Sequence, residues 1–219
     1  MKVVLLAHTP DPERLVATAG RTCYSAKSPS EIYAELTEEE IVKQLSIIHG
    51  SCYEHAVFTF ALEGISRACS QQIERHRLAS YSQQSQRYVS MSKADVVMPE
   101  SILDDEQGAQ REYLWYKAVD TSVAMYDELV AAGVPKEDAR MLLPIGMQTN
   151  VIVTMNAREL MHFFGLRCCE RAQKEVRDVA EAMKRECIRV APNLFMKAGP
   201  YCMQTGHCTE HRSCGRCPQ

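Results

Sequence analysis

The sequence predicts an α+β fold, a twisted antiparallel or mixed sheet flanked by long helices. Three observations carry that prediction. Val57 to Glu63 alternates, with Phe58, Phe60 and Leu62 on one face and Val57, Thr59 and Ala61 on the other, the period of a half-buried strand. Asp104 to Ala132 holds the longest helical pattern, with Leu114, Ala118, Met125 and Leu129 on one broad apolar stripe. Two helix starts are marked by cap signatures, Thr37 with Glu40 and Asn156 with Glu159. The 219 residues suffice for one sizeable domain that buries roughly 70% of its unfolded surface.

Taken in order, Lys2 to Ala7 is a short apolar run that reads as a buried strand, and Asp11 to Thr22 as a helix with Pro12 in its first turn. A loop is expected around Ser28-Pro29. The helix begun at Thr37 places Ile41, Leu45 and Ile48 on one face. His49 to His55 is expected as a loop. Gly64 should end the alternating strand, and Ser66 to Glu74 reads as a helix that delivers Arg75 to Arg77 at its end. Gly133 suits the position just past the long helix, and Pro135 opens a helix to Leu142 that carries Arg140 and stops at Pro144. Thr149 to Thr154 is β-branched and reads as a strand. Helices follow from Asn156 through Phe164 and from about Glu170 to Val190, the latter with Val176, Val179, Met183, Cys187 and Val190 in register. The organisation expected is one domain over 1–198 and a cysteine-rich tail over 199–219.

Composition bounds the function. With 46% hydrophobic and 24% charged residues the chain is globular. Its formal net charge of -3 argues against a general nucleic-acid binder, whose footprint is basic, so any anion site must be local. No run approaches membrane-spanning length, and Val3 to Ala7 is too short for a signal-peptide core. A cytoplasmic protein with neither nucleic acid nor membrane as partner is expected. Ten cysteines in that setting point to reduced thiols, metal ligation or chemistry rather than a disulfide framework.

The stretch from Arg75 to Tyr88 reads RHRLASYSQQSQRY. Arginine forks bind anions bidentately, and the hydroxyls and amides beside them suit a phosphorylated ligand rich in hydrogen-bonding groups. A plainer account is a solvated helix end, where the dipole favours cations anyway. The polar run Gln83-Gln84-Ser85-Gln86-Arg87 has little local structural reason to exist and tilts the balance towards a site.

These residues resemble the signature of the flavin-dependent thymidylate synthases. Arg75-His76-Arg77 followed by Ser85, Glu54-His55 with Phe58-Thr59-Phe60, Ala139-Arg140 to Leu143-Pro144, Asn156-Ala157-Arg158-Glu159-Leu160 and Leu166-Arg167 stand in that family's order and spacing. The match runs from Arg21-Thr22-Cys23-Tyr24-Ser25 to about Phe195.

The resemblance implies reductive methylation of dUMP to dTMP, with methylenetetrahydrofolate as carbon donor and an FAD reduced by NADPH as hydride source. It also implies a homotetramer whose active sites draw residues from neighbouring subunits. His49, Ser51, Glu54, Arg75, His76, Arg77, Gln83, Asn156, Ala157, Arg158 and His162 would bind the flavin. Gln72, Ile73, Glu74, Arg75, Gln83, Gln84, Ser85, Gln86, Arg87, Arg140 and Arg167 would surround dUMP. Arg167 would be catalytic, favouring the ionised N3 of the pyrimidine. The family uses no covalent enzyme nucleophile, so Ser85 is assigned to binding. Asn156 has a competing account, since capping alone explains it. Ser82, Gln83, His162 and Lys174 depart from residues common in relatives, where Asn, Glu, Asn and an aromatic side chain stand.

The tail holds Cys202, Cys208, His211, Cys214 and Cys217. The two-residue gaps between the last four of these resemble zinc-ligand spacing, which makes Cys208, His211, Cys214 and Cys217 the tentative ligand set, against a reduced tail without metal. Two other classes stay in view. A nucleic-acid-binding module would use Arg75, Arg77, Arg87, Tyr81 and Tyr88 with a zinc-binding tail. A phosphatase would use His76 as nucleophile, but Gly-Glu should then follow and Arg77-Leu78 stands there instead.

Overall fold

The computed structural model describes residues 1–92 and 95–217. It contains a four-stranded antiparallel sheet in the order β1-β2-β4-β3, formed by β1 (Lys2–His8), β2 (Val57–Ser66), β3 (Ala79–Gln83) and β4 (Gln148–Asn156). The helices are α1 (Pro12–Thr22), α2 (Pro29–Glu35), α3 (Glu38–Ile47), α4 (Arg67–Ile73), α5 (Gly108–Ala131), α6 (Lys136–Ala139), α7 (Ala157–Arg167), α8 (Lys174–Val190) and α9 (Tyr201–Thr205). The chain divides into two compact units. One comprises Met1–Lys2, Glu63–Ile73 and Ser82–Val151; the other comprises Val3–Leu62, Glu74–Tyr81 and Ile152 to the C-terminus. α9 and the tail belong to the second.

In the second unit the core is aromatic. Phe58 and Phe60 are fully buried from β2, and Phe58 meets Phe195 edge-on at 5.2 Å. Phe163 and Phe164 of α7 extend the cluster, with centroids 5.8 Å apart. Thr59 and Thr154 share a hydrogen bond of 3.0 Å across β2 and β4. Thr37 and Glu40 make the capping box that the sequence predicts for α3. Ser28 and Glu31 make a second one, with Pro29 in the first turn, so the expected loop at Ser28-Pro29 is the start of α2. β1 is an edge strand with Leu6 exposed rather than a buried one.

In the first unit Met91, Tyr126, Ala139 and Met147 form the core, with Val96, Val123, Val130, Val134 and Leu143 packed on it. The apolar stripe on α5 is not its buried face. Val119 and Tyr126 are buried, whereas Leu114, Met125 and Leu129 are exposed by 55%, 41% and 37%. β2 does not stop at Gly64. That glycine takes φ +66, in the left-handed region, and lets the strand continue to Ser66. Gly133 at φ +89 closes α5 as expected. The helix expected from Pro135 to Leu142 is α6 followed by a 3-10 turn at Arg140–Leu142. Among the described residues no helix is long and apolar enough to cross a membrane.

Candidate functional site

In the second unit, the turn after α4 sends Arg75 and Arg77 outwards and His76 inwards. These three, with Leu78, Glu159, His162, Leu166 and Arg167, line an open cavity of about 430 Å³. β4 ends at Asn156, whose side-chain oxygen accepts from the Glu159 N–H at 2.9 Å and starts α7. α7 then aims Glu159, His162 and Arg167 at the cavity. The four-residue spacing of Arg158 and His162 sets them on one face.

His76 is the buried centre of this group. Its Nδ1 lies 2.9 Å from Glu159 Oε1, and its Nε2 accepts from Arg167 Nε at 3.2 Å. The Tyr81 hydroxyl donates to the His76 carbonyl at 3.0 Å. Burial lowers the His76 pKa, with Arg167 and His162 acting in the same direction and Glu159 opposing them. Burial also raises the Tyr81 phenol, so it stays a donor. The expectation that Glu159 closes a capping box is corrected. Its carboxylate turns to His76, and Asn156 caps the helix without it.

A second group of the flavin-assigned residues adjoins the start of α7. His49, Ser51 and Glu54 are exposed on or beside the 3-10 turn Gly50–His55, and Glu54 accepts from Arg158 Nη1 at 2.5 Å. A side chain at Gly50 would stand 3.8 Å from the Arg158 guanidinium. Ala157 is buried, and its N–H donates to the Ala56 carbonyl at 2.8 Å, tying α7 to this turn. Glu74 is exposed beside Arg75.

In the first unit Ile73 is buried and Gln72 half-buried at the end of α4. Gln83 closes β3, and its amide donates to Ser70 Oγ at 2.7 Å. Gln84 is held by Asn150, N–H to carbonyl at 2.9 Å and amide to amide at 3.2 Å. Ser85 Oγ accepts from the Arg87 N–H at 3.2 Å, and Gln86 is half-buried between them. Arg87 Nε donates to Glu137 Oε2 at 2.5 Å, while Arg140 Nε donates to the Glu137 backbone carbonyl at 3.0 Å. Glu137 thus gathers the two arginines, and sequence reasoning did not single it out.

The tail is held to the turn after α7. Arg171 pairs with Glu210 at 3.1 Å and donates to the Arg212 carbonyl at 3.0 Å; Arg216 pairs with Glu170. The Tyr201 hydroxyl on α9 meets His162 Nδ1 at 2.5 Å. The tentative zinc set is not gathered. Among the described residues, only His76, Glu159 and His162 bring three such donors within 4.8 Å of one another, and both His76 nitrogens have hydrogen-bond partners. Cys202 approaches Cys217 and Cys208 instead; burial raises its thiol pKa, as do those two neighbours. Cys168 is pushed up to about 12 by burial, the state of an inert thiol.

Residues 4–193 match the family model described as "Thymidylate synthase complementing protein". A protein of Geobacter sulfurreducens named flavin-dependent thymidylate synthase is 49% identical over 99% of this chain and 94% of its own length. The chain belongs to the flavin-dependent thymidylate synthase family. A family member from Pyrococcus furiosus is 42% identical over 96% of this chain and 90% of its own. Two solved structures share the fold. A UMP/dUMP methylase of Streptomyces cacaoi, bound with 5-Br dUMP, has a TM-score of 0.75 at 22% identity, covering 89% of this chain and 93% of its own. The Helicobacter pylori flavin-dependent thymidylate synthase, complexed with FAD and dUMP, has a TM-score of 0.70 at 24% identity, covering 91% and 100%. In this flavin-dependent thymidylate synthase family member, Arg75, His76, Arg77 and Arg167 line the same cavity.

Proposed function

We propose that this protein methylates dUMP to dTMP, with methylenetetrahydrofolate as carbon donor, FAD as cofactor and NADPH as reductant. The observation that carries the reading is the cavity itself. Two blocks of the sequence that resemble the family, Arg75-His76-Arg77 and Leu166-Arg167, line one open space. The residues fit the cofactor. Exposed Arg75 and Arg77 offer guanidinium forks to a pyrophosphate, and Arg158 and exposed His162 stand on the adjoining face of α7. Bound there, FAD would supply the hydride that completes the methyl group.

The chain's own residues then bind and orient. His49, Ser51, Glu54, Asn156, Ala157, Arg158 and His162 are assigned to the flavin, and Arg75, His76, Arg77 and Gln83 assist. Gln72, Ile73, Glu74, Gln84, Ser85, Gln86, Arg87 and Arg140 are assigned to dUMP, with the phosphate meeting guanidinium and backbone donors. Arg167 places a fixed cation against the pyrimidine and favours its ionised N3, an effect strongest where water is excluded. Ser85 binds and does not attack.

The chain is read as a homotetramer with active sites shared between subunits. The exposed Leu114, Met125 and Leu129 along α5 support that, since they form an apolar stripe that a neighbour could cover. A cytoplasmic location, without a membrane or nucleic-acid partner, belongs to the same reading; the ten free cysteines are what a reducing compartment would keep. Product analysis tests the reading: purified protein given dUMP, methylenetetrahydrofolate, FAD and NADPH should form dTMP, and Arg167→Ala should retain flavin while losing turnover. No dTMP from flavin-loaded wild type would refute it.

A further inference from the structure

We propose that Glu159 and His76 are positioning residues that fix the plane of the Arg167 guanidinium. The proposal rests on the thymidylate synthase reading for the role of Arg167, but its geometry stands alone.

The hydrogen bonds determine the imidazole tautomer. An arginine has five N–H donors, no acceptor, and does not lose its proton in proteins. Arg167 Nε, 3.2 Å from His76 Nε2, therefore donates, and Nε2 must present a lone pair. The single proton of a neutral ring then sits on Nδ1 and is donated to Glu159 Oε1 at 2.9 Å. Carboxylate, imidazole and guanidinium form one directed chain.

Three further facts assign this chain to positioning. First, both inner members are dry: the side chains of His76 and Glu159 are 2% and 7% exposed. A carboxylate is buried at a cost of several kcal/mol unless it is hydrogen-bonded, so its place beside His76 calls for a reason. Second, helix capping does not supply that reason, because Asn156 already accepts from the Glu159 N–H. Third, the imidazole is immobilised around its edge. Tyr81 holds the His76 carbonyl, and the rings of Phe163 and His162 meet it edge-on at 4.9 Å and 5.3 Å.

The groups facing His76 are Glu159, Arg167, His162 and Tyr81. Of these only Glu159 can fix the proton on Nδ1. With the tautomer reversed, or with both nitrogens protonated, an N–H would confront the Arg167 N–H and the chain would break. Misplacing an orienting group by about 1 Å can cost on the order of 100-fold in rate.

The first test needs no mutation. Imidazole ¹⁵N spectra of the full-length protein should show His76 protonated on Nδ1 with Nε2 an acceptor; a proton on Nε2 overturns the proposal. The second compares Glu159→Ala with Glu159→Gln, whose amide oxygen can still accept from Nδ1. Glu159→Ala should keep its FAD and its rate of flavin bleaching by NADPH, while kcat for dTMP falls roughly 10- to 100-fold. Glu159→Gln should restore kcat towards wild type. Equal kcat in wild type and Glu159→Ala, or an equal loss of FAD and turnover in both variants, refutes positioning. If Glu159→Ala does not fold, the tautomer in wild type and Glu159→Gln decides. A wild type that makes no dTMP would refute the synthase reading instead, which the spectra alone leave intact.

Discussion

Arg87 and Glu137, 50 residues apart, form an ion pair of 2.5 Å at the edge of the nucleotide-assigned residues. Both side chains are about half exposed, so the pair is worth only ~0.2–1 kcal/mol. It preorganises Arg87 but also competes with an incoming phosphate. Glu137→Gln should therefore lower the KM for dUMP by about two- to fivefold, with kcat little changed. A higher KM, measured by initial rates at low salt, would show that orientation outweighs competition.

Gly165→Ala sets helix propensity against packing. Ala gains about 1 kcal/mol in a helix interior. Here the added Cβ would stand 2.7 Å from the Tyr201 ring, whose hydroxyl is held by His162. Overpacking costs about 1–3 kcal/mol and should win. Thermal unfolding should show a Tm lower by roughly 2–8 °C; a rise would mean that α9 yields without loss.

Asn156 separates capping from flavin binding. Asn156→Ala should cost about 1 kcal/mol through the lost cap, and Asn156→Ser should recover most of it. Urea unfolding reads that part. Flavin affinity weakened in both variants supports the binding role, whereas flavin retained in Asn156→Ser leaves only the cap.

His76 gives stability a pH dependence of defined sign. Burial holds its pKa below the ordinary value of 6.5, so below about that pH the unfolded chain binds a proton that the folded site resists. Stability should fall as pH drops from 7.5 to 5.5. The exposed carboxyls Glu31, Glu40 and Asp105, held below the carboxylate range by hydrogen bonds, act only at more acid pH. His76→Asn should flatten this slope in urea midpoints; an unchanged slope would move its origin elsewhere.

Local signals were legible and distant ones were not. The Thr37 box and the Asn156 cap are written within four residues of sequence, and both formed. Ser28 and Glu31 carry the same signal for α2, but Pro29 between them reads equally as a turn. β3 is the polar ASYSQ, a strand only because β4 pairs with it. Leu114, Met125 and Leu129 have helical period but face outwards, since period does not say what covers a face. The Arg75–Arg77 motif and Arg167 could be assigned by family resemblance. Glu159 could not, because its partner is 83 residues away and its spacing from Asn156 offered a local explanation.

The most direct test of the central claim is a visible spectrum of the purified protein, followed anaerobically as NADPH is added with and without dUMP. The account predicts a flavin band that NADPH bleaches, at a rate that responds to dUMP, placing the actions of cofactor and nucleotide in one enzyme. A colourless protein that also fails to take up added FAD would contradict it.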